Sequence, residues 1–112
     1  MSDSGQKRFV VWRDRGPGWD PSRDRREQDG WNAHASFMDG LVESGFIELG
    51  GPVGDGERAL HICRAPTESE VRRCLADDPW SEEMLYVASV EPWDVLLDAG
   101  RTRGGEFRRP LG

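Results

Sequence analysis

The order of elements in this sequence predicts an α+β domain, a ferredoxin-like βαββαβ sandwich with both helices on one face of an antiparallel sheet. Three observations carry that expectation. An amphipathic helical stretch from Trp31 to a Ser44-Gly45 stop is followed at once by two short β-rich runs joined across Asp55-Gly56, a hairpin turn pair. A second helix opens at Thr67 with Glu70 three residues on, the spacing of a capping box. Aromatic and β-branched runs at 9–13 and 85–95 supply the first and last strands.

A chain of 112 residues has room for one core and no second domain. Residues 1–8 are polar and expected to fray, 9–98 form the folded domain, and 99–112 are expected to be a disordered basic tail. The net charge of -6, from 15 basic and 21 acidic residues, argues against a nucleic-acid binder, because phosphate contacts need a basic face. No stretch has the length of a membrane span, and MSDSGQKR lacks the apolar centre of a signal peptide. A cytoplasmic protein with neither membrane nor nucleic acid as partner is the expectation. Cys63 and Cys74 show no CxxC spacing, so two reduced thiols are the simplest reading, with a disulfide or a metal pair as the alternative.

In chain order, Phe9-Val10-Val11-Trp12-Arg13 reads as a strand. The loop from Asp14 to Pro21 holds two glycines and two prolines; its Trp19 is either a lid side chain or a connector residue packed on the surface. Pro21 or Ser22 is expected to open a long helix whose first turns, Arg23 to Asp29, are charged. At ~100° per residue Trp31, Ala35, Met38 and Val42 then form an apolar stripe flanked by Phe37 and Leu41, and His34 projects into that arc. Phe46 to Leu49 is the second strand, closed by a Gly50-Gly51-Pro52 turn. On the third strand, 58–64, Leu60 and Ile62 face one way while His61 and Cys63 face the other, so both sides look partly buried. The second helix, 68–76, turns Val71, Cys74 and Leu75 inward until Asp77-Asp78-Pro79 interrupts it, with Asp78 capping a short turn. Pro92 marks an edge, a bulge or the end of the last strand. Because the strands carry apolar residues on both sides, a second copy of the chain is expected to cover the free face, giving a dimeric α/β barrel with a cavity between sheet and helix.

Across 9–93 the sequence resembles the YCII-related family of small dimeric α+β barrel proteins. The resemblance rests on His34, Phe37, Leu41, Gly45, Ile47 and Gly51-Pro52 at the family's H…L…G…GP spacing, and on Asp78-Pro79-Trp80 before the closing strand and Pro92-Trp93. Met84, where the family usually has glycine, and a longer first loop depart from the pattern. The resemblance implies a His and Asp pair in a pocket, an acid/base site at His34 and Asp78. Related barrels bind or rearrange small molecules, often aromatic or lactone-like, so it implies a site more firmly than a reaction.

A neutral imidazole held by a carboxylate has its tautomer fixed and can take a proton near neutral pH, the chemistry a His34–Asp78 dyad would supply. The plainer reading makes Asp78 a helix cap and His34 a hydrogen-bonded core residue. Gly50, Gly51 and Pro52 either bring backbone amides to a substrate oxygen or simply turn the chain. Trp31 and Trp80 either wall an aromatic-lined pocket or pack the core. His61 and Cys63 share a strand face, but with only His34 as a further soft ligand they make no metal signature, and no cofactor is implied. Two functions follow as expectations: a lyase- or isomerase-type enzyme acting on a small molecule through His34 and Asp78, or a non-catalytic module that binds a small ligand or regulates a partner.

Overall fold

A computed structural model describes residues 6–99. Six elements follow in the order β1 (Lys7–Arg15), α1 (Trp31–Glu43), β2 (Ile47–Val53), β3 (Arg58–Ala65), α2 (Glu68–Ala76) and β4 (Leu85–Trp93), with a short 3-10 turn at Arg25–Glu27. The strands form one antiparallel sheet in the order β2-β3-β1-β4. That is a small α+β domain whose topology is consistent with a ferredoxin-like fold. β4 lies at an edge, which is where Pro92 is tolerated, since an edge residue needs no outward N–H. Expectations for 1–5 and for the tail from 100 onward lie outside the described residues. No helix among the described residues is long and apolar enough to cross a membrane.

Several local expectations are corrected. Lys7 and Arg8 are not frayed: they belong to β1, and Arg8 pairs with Glu48 at 2.6 Å. The long helix does not open at Pro21 or Ser22. It starts at Trp31, because Gly30 sits in the left-handed region at φ 78° and the side chain of Gln28 holds the preceding loop by bonding the carbonyls of Asp20 and Arg23. Val42 is 54% exposed, so the inward line of α1 runs through Trp31, His34, Met38 and Leu41 instead. Gly50-Gly51-Pro52 is no turn: β2 runs straight through it, pairing with His61, Leu60 and Ala59 of β3. The reversal comes later, around Asp55-Gly56, as the hairpin signal had it.

Other features hold. Thr67 accepts a hydrogen bond from the Glu70 amide at 3.2 Å and starts α2, whose Val71 and Leu75 are buried. Strand alternation sends Phe9, Val11, Cys63 and Ala65 toward the helices, where they pack with Ile47, Val71, Leu75 and Val90. A second, aromatic cluster of Trp19, Trp80, Met84 and Leu85, with Trp31 against it, fills one end of the domain. α1 packs on β2 and α2 on β3 and β4, so the opposite face of the sheet carries neither helix. Cys63 and Cys74 are free thiols.

Candidate acid-base site

His34 is the buried residue of α1, and the turn after α2 delivers Asp78 to it. The His34 Nδ1 lies 2.9 Å from one Asp78 oxygen and 3.0 Å from the other. Asp78 is at the same time the cap its sequence position suggests, since its Oδ1 accepts the Trp80 amide at 2.9 Å. Dyad and cap are therefore one arrangement rather than competing ones.

The sequence reading missed a third member, Arg13, which reaches Asp78 Oδ2 from β1 at 2.7 Å and donates to the Leu85 carbonyl at 2.6 Å. Both side chains of this pair are fully buried. Strand periodicity could have found it: with Phe9 and Val11 inward, Arg13 is inward too. Burial by itself would raise the Asp78 pKa. The hydrogen bonds from His34 and the Trp80 amide and the charge of Arg13 outweigh it and hold the carboxyl below its ordinary 3.8. An ionised carboxylate only accepts, so the His34 Nδ1 carries the hydrogen and the lone pair of the neutral ring sits on Nε2.

Around this pair the aromatic cluster fixes the ring. Trp80 stacks on His34 with centroids 4.0 Å apart and planes 10° from parallel, and Trp31 leans in at 5.8 Å. Trp80 is locked in turn by donating its indole hydrogen to the Asp29 carbonyl at 2.8 Å and by the edge of Trp19 at 5.5 Å. Trp19 is thus an interior residue, held there because the amides of Gly16 and Gly18 bond to the Met84 and Glu83 carbonyls. Of the His34 side chain, 9% reaches solvent. Its Nε2 has no hydrogen-bond partner among the described residues.

His61 is the other functional candidate the sequence reading passed over, having weighed it only as a metal ligand. It is buried on the helix-facing side of β3, and neither ring nitrogen has a partner among the described residues. Burial first, then the nearby charge of Arg13, push its pKa from 6.5 down to about 4 against the opposing pull of Asp78. His61 is thus an uncharged imidazole within electrostatic reach of the dyad. Gly50 stands opposite it in the ladder, and a Cβ there would meet the His61 Nδ1 at 2.6 Å. Of the expected substrate-binding residues, Trp31 and Trp80 join the dyad and Gly50 backs His61. Gly51 and Pro52 continue β2 against Leu60 and Ala59, in strand and not in a loop offering amides to a ligand.

A cavity of about 820 Å³ opens elsewhere, beside Arg8, Arg64, Pro92, Trp93 and Asp94, and none of the dyad residues lines it. Beside the dyad, Trp80 and Trp31 pack on the His34 ring and on each other, with their own centroids 5.7 Å apart. No group of three metal-ligating side chains gathers among the described residues. No family model, no curated protein and no solved structure matches the chain.

Proposed function

We propose that the protein is a small-molecule enzyme of lyase or isomerase type, in which His34 moves a proton and Asp78, held by Arg13, orients the imidazole. The observation that carries this reading is the asymmetry of His34. One nitrogen is committed to a buried, ionised carboxylate, and the other is uncommitted on a ring that still reaches solvent. In the reaction Nε2 takes a proton from a carbon next to a carbonyl, and the imidazolium that forms is stabilised by Asp78. The proton is then returned to a second carbon in an isomerisation, or to the departing oxygen in an elimination. His61, uncharged at neutral pH, is a buried imidazole without a hydrogen-bond partner among the described residues. Acyl transfer to Cys63 is disfavoured, because burial pushes that thiol up to about 12 and leaves it protonated.

The resemblance to the YCII-related family supports the same pair of residues and a homodimer closed through the open face of the sheet. Trp31 and Trp80 beside the ring favour an aromatic or lactone-like ligand. Two unbridged thiols fit a reducing, cytoplasmic setting. The second reading, a ligand-binding module without turnover, draws on the close stacking of Trp80 over His34.

Proton exchange separates the two readings. Small keto acids, unsaturated lactones and phenolic acids are incubated with the protein in D₂O, and loss of carbon-bound protons is followed by NMR. The enzyme reading expects catalysed exchange of at least one compound, reduced roughly 100-fold or more in His34→Gln. Thermal stabilisation by a member of the panel, equal in both proteins and without exchange, would establish the module instead.

A further inference from the structure

The long loop between β1 and α1 completes a cationic cluster that the acid-base reading leaves unused. Arg15 ends β1, Arg25 lies in the 3-10 turn, and Gly56 belongs to the β2–β3 hairpin, so three separate segments meet. The Nη2 atoms of both arginines donate to one acceptor, the Gly56 carbonyl oxygen, at 3.0 and 3.1 Å. Both guanidiniums also stand over the Trp19 ring, 4.6 and 5.3 Å from its centroid. A single neutral carbonyl does not balance two cations. Neither arginine forms an ion pair with a carboxylate among the described residues, although the chain has 21 acidic groups against 15 basic ones. The Arg15 Nε is buried without a hydrogen-bond partner among the described residues. Both side chains are half-buried, and burial, followed by the charge of Arg15, lowers the Arg25 pKa. Like charges held together with reduced solvation repel, and an anion between them would turn that repulsion into attraction.

We propose that Arg15 and Arg25, seated on Trp19, form a binding site for the oxyanion of a small molecule, a carboxylate or a phosphate. Guanidinium forks match both oxyanions through paired hydrogen bonds, and each arginine keeps N–H groups beyond the one given to Gly56. Trp19 and Trp80 stand between this site and His34, so anion binding does not require His34 to be catalytic.

The test is calorimetric titration of the full chain with sodium phosphate and, separately, sodium acetate, with ionic strength held constant by chloride. Saturable one-site binding of at least one anion is expected, and the tighter of the two identifies the source of the oxyanion. Arg15→Gln and Arg25→Gln should each weaken it at least tenfold, while Arg72→Gln on α2 leaves it unchanged. Should Arg15→Gln unfold by circular dichroism, Arg25→Gln, which lies in a loop turn, decides alone. Heats indistinguishable from those of chloride for both anions, or binding that survives the folded arginine variants, would overturn the proposal.

Discussion

A histidine buried with both ring nitrogens unpartnered gives up its hydration and regains nothing in the fold, at a cost of roughly 1–3 kcal/mol for such a group. Among the described residues His61 is in that position, and its titration makes the cost visible. The unfolded chain takes the His61 proton near 6.5, whereas the folded protein resists it until about 4. Between those values acid drives unfolding, so the stability is complete above 6.5, falls as the pH drops toward 4 and is level below that. The shift corresponds to about 3 kcal/mol. The loss linked to Asp78 comes lower, below 3.8, where its depressed pKa lets the carboxyl take a proton. Urea unfolding at a series of pH values should therefore show the wild type weakening between 6.5 and 4. In His61→Leu that segment of the curve should be flatter by about this amount, with stability at pH 7 equal or higher. Equal slopes for the two proteins would mean that His61 is hydrated or charged in the folded state.

At the scale of elements, the same ring explains why β2 carries glycine in mid-strand. The Gly50 backbone lies against His61, so Gly50→Ala would force a Cβ to 2.6 Å from the ring. Such overpacking costs typically 1–3 kcal/mol. In a His61→Ala background the obstruction is gone, and the same substitution should cost less by about 1 kcal/mol or more, which a double-mutant cycle by denaturant unfolding would read. Additive costs would show that the glycine serves the strand rather than its neighbour. This contact also marks where sequence reading stops. Gly-Gly-Pro has the composition of a turn, and only the side chain across the ladder explains it as strand. The true start of α1 was equally hidden. Residues 23–29 are as acceptable in a helix as in a loop, and what decides is a φ of 78° at Gly30 under the indole of Trp80, whose nitrogen would lie 3.2 Å from an added Cβ. Periodic features were legible: both helix stops, the α2 cap, the hairpin and the sidedness of β3 follow from local spacing. In the site, His34 stood out as a titratable ring on an apolar face and Asp78 as a cap, but at a sequence separation of 44 nothing local signals their meeting. Arg13 escaped because an arginine on a strand reads as solvated, although Phe9 and Val11 already set its direction.

For the whole molecule the unfinished surface is the face of the sheet away from the helices. Register places Val10, Trp12, Leu60 and Ile62 there, and with them Leu49, Val53, Tyr86 and Trp93. Leu49 is 71% exposed, Tyr86 41% and Trp93 45%. Exposed aromatic and aliphatic side chains on one contiguous sheet face are the composition of an interface core, and a stable contact buries about 1,200 Å² or more in total. A second copy meeting this face about a two-fold axis would bring Leu49 and Tyr86 of each protomer under cover, and the two sheets would close the barrel that the sequence led us to expect. Arg58 already lies over Trp12, with its guanidinium carbon 4.1 Å from the ring centroid, so the pairing surface is apolar with charge laid across it. Light scattering at micromolar concentration should give twice the mass of the chain. Leu49→Asp puts a carboxylate on this face and should return the monomer mass with circular dichroism unchanged, because Leu49, 71% exposed, contributes little to the interior of its own protomer. A wild-type chain that scatters as a monomer at these concentrations would leave the face to solvent and confine any acid-base site to residues of a single protomer.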